Sequence, residues 1–492
     1  MPLDQLAEGI VASPDASVLV TGITLDSRGV RPGWLYVGLP GTRSHGASFA
    51  GQAVRDGAVA VLTDAEGADL AAGLGVPVLV AADLRQAMGR MSARLFGHPA
   101  RALTTFGLTG TNGKTTTAFL LAAALGTTGV ATIGTIGFRL GEHELDATRT
   151  TVTTPESPDL QALLAHLVEQ GATSAAIEVS SHALVLQRAA GIRFDYAGFI
   201  NLGHDHLDFH GTQEAYFEAK ASLFTPEHCA VAVINTADEA GRRIADRVAG
   251  RGEPRLVTVG SPDADYRLAD VHQTDPLHLS GTLHAPSGVH ELVLAMPGTY
   301  NATNALLAFA MAEQAGRTPA AILAGLARAS VPGRMQPVDL GPDAPLVVVD
   351  FAHTPQAVEA ALATFDSYRP GRRVIAVLGA GGDRDKDKRA LMGAAAARFA
   401  DTVIVTDDNP RTEVPADIRA AVLVGAAAHP DARDVGGRAD GIRAALAAAR
   451  PGDVVAILGK GHERGQTIGT QVVEFEDVTV ARDQWATLRE ES

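Results

Sequence analysis

Four runs of β-branched residues in the last third of the chain alternate with alanine-rich helical segments. The runs and the loops that follow them read "LVVVDF", "RVIAVLGAGGDRD", "DTVIVTDDNPR" and "DVVAILGKGHE". Continuous β-branched runs separated by helices are typical of a parallel sheet covered by helices on both faces. In such sheets ligands bind outside the carboxyl ends of the strands, where all four polar loops fall. The sequence therefore predicts a ligand site built from these loops.

A glycine-rich turn lies between a predicted strand and a predicted helix in the middle of the chain. The segment reads "LTTFGLTGTNGKTTTAFLLAAAL", and Gly110 and Gly113 let backbone N–H groups turn toward a phosphate. We expect Lys114 to reach the terminal phosphates of a nucleotide and the Thr115 hydroxyl to meet Mg²⁺. The strict phosphate-loop pattern fails at its first position, Leu108, but the strand–loop–helix context still predicts phosphate binding.

Two further predicted strands end in acidic and histidine side chains. "SAAIEVSSHAL" places Glu178 at a strand end, and "YAGFINLGHDHLDFHG" places His206 after another strand. A carboxylate and an imidazole form a pair that Mg²⁺ or Mn²⁺ accepts, so we expect both to reach metal bound to nucleotide phosphates. Lys220 in "YFEAKASLF", considered alone, is expected to be an ordinary solvated lysine on a helix.

Length and composition limit the classes of protein that remain. At about 150 residues per domain, 492 residues suggest about three domains, which changes of pattern place at 1–100, 101–332 and 333–492. A net charge of −15, from 41 basic and 56 acidic residues, argues against general nucleic-acid binding. The single cysteine, Cys229, excludes an intrachain disulfide and argues against a cysteine-rich zinc site. We expect a cytoplasmic protein without membrane insertion, because the N-terminus does not read as a signal peptide.

Taken together, the motifs resemble those of the Mur ligases, the ATP-dependent amide-forming enzymes of peptidoglycan precursor synthesis. The resemblance spans essentially the whole chain and rests on "TGTNGKTTT", "TTPES", "EVSSHAL", "DHLDFHG", "YFEAKASLF", "GTYNATN", "VPGRM", "VDFAHTP", "GGDRD", "DNPRTE" and "GKGHE". It implies an α/β protein of three domains: a UDP-binding N-terminal domain, a central P-loop ATPase-like parallel sheet and a C-terminal Rossmann-like parallel sheet. A monomer is expected.

The resemblance also implies which residues bind ATP and Mg²⁺. The implied ATP contacts are Gly110, Thr111, Asn112, Gly113, Lys114, Thr115, Thr116, Asn301, Asn304, Arg334, Asp350 and His353. The implied ligands of two Mg²⁺ ions are Thr115, Glu178, His206 and Lys220. Lys220 is similar to the lysine that the family carbamylates with CO₂ to N6-carboxylysine, which replaces a cation by an anion beside the metal. Lys114, Lys220, Glu178 and His206 are therefore the implied catalytic residues.

Two further groups of residues are implied to bind the substrates. The implied contacts of a UDP-N-acetylmuramoyl dipeptide are Leu25, Ser27, Thr153, Thr154, Ser180 and Arg188. Family members that add diaminopimelate carry the DNPR sequence, whereas lysine-adding members lack its arginine. The implied diaminopimelate contacts are Arg384, Asp408, Asn409, Pro410, Arg411, Gly459 and Glu463. Arg411 can pair bidentately with the carboxylate that diaminopimelate has and lysine lacks.

The implied reaction is ATP-dependent ligation of diaminopimelate, expected as the meso isomer, to the D-glutamyl γ-carboxylate of UDP-MurNAc-L-Ala-D-Glu. It proceeds through an acyl phosphate and releases ADP and phosphate. Three alternatives remain open. A folylpolyglutamate synthetase shares the ligase core but is not expected to carry the N-terminal "LDSRGVRPGWLYVGLPG" segment. A P-loop NTPase switch leaves the strand-end motifs of the last domain unexplained, and a sister Mur ligase adding another amino acid differs at the DNPR loop.

Overall fold

The computed structural model divides the chain into two compact units. It describes residues 1–12, 18–145, 152–366, 371–383 and 385–491. One unit consists of Met1–Arg267 with Leu306–Ile322, and the other of Leu268–Ala305 with Leu323–Ser492. The domain limits at 100 and 332 stay predictions. Over the described ranges, no helix has the length and apolar character needed to cross a membrane.

The N-terminal part of the first unit is a parallel four-stranded sheet. Its strands, in the order β1-β2-β3-β4, are β1 (Gly22–Thr24), β2 (Trp34–Gly38), β3 (Ala58–Thr63) and β4 (Val78–Val80). Its helices are α1 (Leu3–Ala7), α2 (Ala50–Arg55), α3 (Ala65–Leu70) and α4 (Leu84–Leu95). Leucine, valine and methionine side chains of β2, β3, β4, α1 and α4 form its core, so this segment buries its own apolar face.

The middle part of the first unit is an eight-stranded sheet with the order β12-β11-β10-β5-β9-β6-β7-β8. The strands are β5 (Thr104–Thr109), β6 (Val130–Gly134), β7 (Gly137–Leu140), β8 (His143–Glu144), β9 (Ser174–Glu178), β10 (Phe194–Phe199), β11 (Cys229–Asn235) and β12 (Arg255–Val259). All pairs are parallel except β6–β7 and β7–β8. The helices are α5 (Lys114–Leu125), α6 (Ser157–Glu169), α7 (Ser181–Val185), α8 (Leu207–His210), α9 (Gln213–Ala221) and α10 (Glu239–Arg251). Neighbouring β5, β9 and β10 end at one edge, which brings together the phosphate loop, Glu178 and the loop 200–206 that carries His206.

A small sheet opens the second unit. It contains β13 (Arg267–Asp275), β14 (His278–Ala285) and β15 (Gly288–Leu294), and β14 and β15 are antiparallel. Two helices follow, α11 (Thr299–Gln314) and α12 (Pro319–Leu326). Helix α11 begins in the second unit and ends in the first.

The last part of the chain confirms the predicted parallel sheet. Its order is β16-β17-β21-β18-β19-β20, with β16 (Gln336–Val338), β17 (Leu346–Asp350), β18 (Val374–Leu378), β19 (Thr402–Val405), β20 (Ala432–Asp434) and β21 (Val454–Leu458). Only the edge pair β16–β17 is antiparallel. The helices are α13 (Pro355–Ala363), α14 (Lys388–Phe399), α15 (Pro415–Ala426), α16 (Arg438–Ala448) and α17 (Asp477–Glu491), and β22 (Gly465–Ile468) with β23 (Gln471–Glu474) forms a hairpin. Since β21, β18 and β19 are neighbours, the loops GKGHE, GGDRD and DNPR lie side by side.

Candidate active site

The two glycines of the phosphate loop are required for different reasons. Gly113 has a φ of +88°, in the left-handed region, and stands immediately before α5. Gly110 has no such φ, but a Cβ there would lie 2.9 Å from the Cβ of Ile200. The first glycine therefore allows a close approach of two strands, and the second allows the turn into the helix.

A side chain from the neighbouring strand holds the phosphate loop in shape. The Asn201 Oδ1 accepts from the backbone N–H groups of Thr111 (3.1 Å) and Asn112 (3.0 Å). The Lys114 ammonium donates to the carbonyl oxygens of Gly110 (2.8 Å) and Thr111 (3.1 Å). Sequence reasoning missed Asn201, although its position as the polar residue that ends the run "YAGFIN" is a usable signal. Thr116, also predicted to contact ATP, is buried within α5.

Glu178 ends β9 as a buried carboxylate, 2% exposed, that is held by hydroxyl and amide groups. It accepts from the Thr115 Oγ1 (3.0 Å), the Thr135 N–H (2.9 Å) and the Thr135 hydroxyl (3.0 Å). No basic side chain forms an ion pair with it among the residues that the structure describes. The structure thus places Glu178 in contact with Thr115 of the phosphate loop. A buried carboxylate without a cationic partner suits a divalent cation.

His206 precedes α8 and lies in a cluster of rings. Its ring is edge-on to that of His182, with centroids 4.7 Å apart, and its Nε2 is 3.6 Å from the Asp205 Oδ2. Burial lowers the pKa of His206 below its usual value; Lys114 and Lys220 act in the same direction, and Asp205 opposes them. A lowered pKa favours the neutral imidazole, which is the form that binds metal.

Lys220 is not the solvated lysine that its helix position suggests. It lies on α9, is 1% exposed, and its Nζ is 4.6 Å from the centroid of the Tyr216 ring. Burial, with a further contribution from Lys114, lowers the pKa of Lys220 well below its usual value. The expectation of solvation was wrong because α9 packs this face inward, and local sequence does not show which face that is. A neutral amine is the form that reacts with CO₂.

The predicted metal ligands do not form an ordinary metal cluster by themselves. Within the described ranges, no three His, Cys, Asp or Glu side chains gather closely enough to hold a metal ion. The predicted set depends on the hydroxyl of Thr115 and on modification of Lys220. With a carbamate on Lys220 the donor set would be rich in oxygen, the ligand atom that Mg²⁺ prefers.

Four of the predicted sugar-peptide contacts lie together beside Glu178. The Thr153 hydroxyl is 3.2 Å from that of Thr135, and the Thr154 hydroxyl donates to the Glu178 carbonyl oxygen (2.7 Å). The Ser180 N–H donates to the Thr154 Oγ1 (3.2 Å), and Arg188 donates to the Thr154 carbonyl oxygen (3.2 Å). Leu25 and Ser27 lie elsewhere, after β1, where Leu25 packs on the N-terminal core and Ser27 begins a 3₁₀ turn.

The second unit carries the remaining predicted ATP contacts. The Asn301 Nδ2 donates to the Pro297 carbonyl oxygen (2.7 Å), and the Asn304 Nδ2 donates to the Asn301 Oδ1 (3.2 Å). Both asparagines are buried, so these bonds fix the start of α11.

Arg334, Asp350 and His353 lie around the end of β17. The Arg334 guanidinium stacks 4.5 Å from the centroid of the Phe351 ring. Burial raises the pKa of Asp350, and the Arg334 charge opposes this. The His353 Nδ1 is 2.8 Å from the Phe351 carbonyl oxygen, and burial lowers the pKa of His353.

The DNPR loop and the GKGHE loop are joined by side-chain hydrogen bonds. The Asn409 Nδ2 donates to the Glu463 Oε2 (2.8 Å), and both Asp408 and Asn409 are buried. Gly459 has a φ of +114°, and a Cβ there would lie 2.7 Å from the Asp408 Oδ2, so a larger residue would disturb both loops. The structure therefore brings the DNPR and GKGHE loops together.

Arg411 closes the DNPR loop in a left-handed conformation. Its φ is +50°, its backbone N–H donates to the Thr467 carbonyl oxygen (3.0 Å), and its Nη1 donates to the Gly382 carbonyl oxygen (2.6 Å). Pro410 accepts from the Glu413 N–H (3.1 Å). Arg384, the other predicted guanidinium of this group, lies outside the described residues.

Comparisons with known proteins agree with this layout. Family models match in three consecutive segments: "Mur ligase family, catalytic domain" over 19–95, "Mur ligase middle domain" over 108–312 and "Mur ligase, glutamate ligase domain" over 333–461. The chain is 47% identical to the UDP-N-acetylmuramoyl-L-alanyl-D-glutamate–2,6-diaminopimelate ligase of Streptomyces avermitilis, over 98% of this chain and 96% of that protein.

Solved structures give the same result. One of a UDP-N-acetylmuramoyl-L-alanyl-D-glutamate–2,6-diaminopimelate ligase superposes with a TM-score of 0.72 at 33% identity, covering 99% of both chains. The Mycobacterium tuberculosis folylpolyglutamate synthase, complexed with ADP and AMPPCP, shares the fold at a TM-score of 0.60 and 19% identity, over 81% of this chain and 93% of that one. The order of the three matched segments, the 47% identity over nearly the full length and the arrangement of the strand-end loops lead to one conclusion: the chain belongs to the Mur ligase family.

Proposed function

We propose that the protein joins diaminopimelate to the γ-carboxylate of UDP-N-acetylmuramoyl-L-alanyl-D-glutamate with ATP as the energy source. The observation that carries this proposal is the junction of the DNPR and GKGHE loops through the 2.8 Å bond from Asn409 to Glu463. It places a guanidinium, Arg411, and a carboxylate, Glu463, on adjoining loops. A zwitterionic amino-acid end, with one carboxylate and one ammonium, complements that pair.

The phosphoryl-transfer half of the reaction belongs to the first unit. The substrate's carboxylate oxygen attacks the γ-phosphorus, the bond to the β–γ bridging oxygen breaks, and ADP leaves with an acyl phosphate formed. Both reactants are anions, so the site must neutralise and align them. Lys114, the N–H groups of residues 110–116 and the N-terminus of α5 are suited to hold the phosphates. The ADP and AMPPCP complex of the folylpolyglutamate synthase, which shares the fold, supports the use of ATP.

Mg²⁺ supplies charge neutralisation between the phosphates and the carboxylate when it is bound. Thr115 and Glu178 are in contact and would hold one ion, with His206 as a further ligand. Lys220 would act as a carbamate: its burial and its lowered pKa support the neutral amine that adds CO₂. Unmodified, a Lys220 cation near a metal would repel it.

The second half is attack by the amine nitrogen on the acyl-phosphate carbonyl carbon. The ammonium first loses one proton to give the nucleophilic amine. The amide bond then forms, the carbon–oxygen bond to phosphate breaks, and the nitrogen loses a second proton. Solvent and the released phosphate take up the two protons. Arg411 selects diaminopimelate, because lysine leaves this guanidinium without its carboxylate. By analogy with broken buried pairs this costs about 2–5 kcal/mol. The proposal includes that the protein acts on these small-molecule substrates as a monomer in the cytoplasm, where ATP is supplied.

A product assay tests the proposal. The protein is incubated with UDP-MurNAc-L-Ala-D-Glu, ATP, Mg²⁺ and either meso-diaminopimelate, LL-diaminopimelate, lysine or ornithine, and ADP and the UDP-linked product are quantified. We expect ADP release to require both the UDP-linked dipeptide and diaminopimelate. ATP hydrolysis without either substrate would indicate a switch, and equal ligation of lysine would remove the specificity claim.

Arg411→Asn sharpens the same assay, because asparagine tolerates the left-handed φ of this position and lacks the guanidinium. We expect the variant to lose its preference for diaminopimelate over lysine while its KM for ATP stays unchanged. Arg398→Gln, which removes an exposed guanidinium on α14, is the control and should leave all constants unchanged. Equal increases of the KM for ATP and the KM for diaminopimelate in Arg411→Asn would contradict the role of Arg411.

A further inference from the structure

A buried lysine that has no role in the reaction described so far joins three segments around the amino-acid end of the site. Lys460 follows β21 and is 0% exposed. Its ammonium donates to the Asn409 Oδ1 (3.2 Å), the Glu463 Oε2 (3.0 Å) and the Gly465 carbonyl oxygen (2.6 Å). Three acceptors match the three N–H bonds of an ammonium group, so its donor capacity is used in full.

The bonds of Lys460 determine the orientation of the Asn409 side chain. The Asn409 Oδ1 accepts from the Lys460 ammonium and from the Thr467 N–H (2.9 Å). Because an ammonium only donates, the atom that it meets must be the amide oxygen. The NH₂ group of Asn409 is thereby directed to Glu463.

Both donors meet the same oxygen of Glu463. The Oε2 accepts from Lys460 at 3.0 Å and from Asn409 at 2.8 Å. Within the described part of the chain, no residue donates a hydrogen bond to the other oxygen, Oε1, and the Glu463 side chain is 36% exposed. The carboxylate is thus held by one oxygen and retains a second acceptor.

We propose that Lys460 is a positioning residue for diaminopimelate: it holds the Oε2 of Glu463 so that the Oε1 is left to accept from the ammonium of the incoming amino acid. This proposal rests on the proposed function. A charged group that is fully buried needs pairing and hydrogen bonds to be tolerated, and Lys460 meets that need through groups that all border this end of the site. Its contacts also tie the GKGHE loop to the DNPR loop and to the start of β22.

Two substitutions test Lys460 in steady-state kinetics with the full-length protein. Lys460→Met keeps the length of the side chain and removes charge and donors, and we expect it to raise the KM for diaminopimelate about tenfold or more. The KM for ATP and for the UDP-linked dipeptide should stay within about twofold of wild type. Lys460→Gln keeps a donor and should show a smaller rise. Arg398→Met removes a cationic side chain on α14 that is 69% exposed and should change none of these constants.

A double-mutant cycle separates positioning from general loss of structure. If Lys460 acts through Glu463, then Lys460→Met should add little to the KM for diaminopimelate once Glu463→Gln is present. Thermal unfolding of each variant checks folding, and Lys460→Gln carries the test if Lys460→Met does not fold. Additive effects in the cycle, or an unchanged KM for diaminopimelate in folded variants, would overturn the role of Lys460 alone. Failure of the wild-type protein to ligate diaminopimelate would overturn the proposed function, and the role of Lys460 with it.

Discussion

Two buried ionisable side chains in the first unit, Glu178 and Lys220, have no ion-pair partner in the part of the chain that the structure describes. Glu178 is 2% exposed and Lys220 is 1% exposed. Burying a charge without a partner is costly, so each group needs a further component to be stable in its charged form. A carbamate on Lys220 would turn the position into a second anion, and cations shared with Glu178 and the nucleotide would then satisfy both.

At this scale we predict that Lys220→Met abolishes ligation yet stabilises the unmodified protein. The pKa of Lys220 is lowered in the folded state, chiefly by burial. A lysine in the unfolded chain has a pKa of about 10.4. Between the folded and unfolded pKa values the unfolded state binds more protons, so wild-type stability rises as the pH increases toward 10. Methionine has no titrating proton. The difference in the free energy of unfolding between Lys220→Met and wild type should therefore be large at pH 7 and shrink toward pH 10.

The measurement is urea unfolding of both proteins from pH 7 to pH 10 in CO₂-depleted buffer without Mg²⁺. Arg398→Met serves as the control, since it removes a cationic side chain that is 69% exposed and should produce no pH-dependent gain. An advantage of Lys220→Met that is constant across this range would show that the amine does not titrate as described.

Among the structural elements, the loops after β18 and β19 are held together by one carboxylate. The Glu413 Oε1 accepts from the Arg389 Nη2 (2.9 Å) and from the Asp383 N–H (2.6 Å), and Arg389 is 3% exposed. The Asp383 side chain accepts in turn from the Thr412 hydroxyl (2.7 Å). This clamp joins the GGDRD loop to the DNPR loop and so supports the position of Arg411.

We predict that Glu413→Gln destabilises the protein at neutral pH and that the difference narrows in acid. Hydrogen bonds from Arg389 hold the pKa of Glu413 at about 2, below the ordinary value of 4.5. A lowered carboxylate pKa contributes stability above pH 4.5 that is lost as the pH falls toward 2. Denaturant midpoints of wild type and variant, measured from pH 7 down to pH 3, should approach each other without meeting, because part of the stabilisation persists until the pH falls below the folded-state pKa of Glu413, about 2. Glu359→Gln, which removes an exposed ion pair with Arg398, should show a smaller effect throughout, and a gap for Glu413→Gln that does not narrow would contradict the clamp.

The hairpin of β22 and β23 shows why part of the site escapes sequence reasoning. Arg411 donates its N–H to Thr467 and accepts from the Gly469 N–H (2.7 Å), while the Gln466 Nε2 donates to the Asp408 carbonyl oxygen (2.6 Å). These contacts join segments more than fifty residues apart, as in the pair of Asp408 and Gln466, whose sequence separation is 58. The local pattern of "GQTIGTQVVE" carries no sign of that pairing.

On the scale of the whole molecule, the first unit depends on a segment that returns late in the chain. Leu306–Ile322 belongs to the same unit as Met1–Arg267. The Tyr196 hydroxyl donates to the Gln314 carbonyl oxygen (2.8 Å), and the Tyr266 hydroxyl donates to the Glu313 carboxylate (2.7 Å). Helix α11 thus covers part of a sheet whose strands end about forty residues before it begins.

We therefore predict that a fragment of residues 1–326 unfolds cooperatively, whereas a fragment of residues 1–267 does not. Without Leu306–Ile322, the buried face around Phe309 and Met311, both 0% exposed in the full chain, is lost and its partner surface is exposed to water. Circular dichroism with urea titration of the two fragments measures this. Equal unfolding midpoints would show that the late segment is not needed for the first unit.

The sequence by itself determined the alternation of strands and helices, the parallel sheet of the last part and the set of motifs at strand ends. It could do so because β-branched runs, glycine turns and helix-forming segments act over a few residues. Tertiary structure alone decided which strands are neighbours and that Lys220 is buried. It also decided that Asn201 holds the phosphate loop and that Lys460 holds Glu463. Those outcomes depend on burial and on hydrogen bonds between residues far apart in the chain, as in the 2.8 Å bond from Asn409 to Glu463 that joins the DNPR and GKGHE loops. No local pattern encodes such contacts, because their energies exist only once the chain has packed.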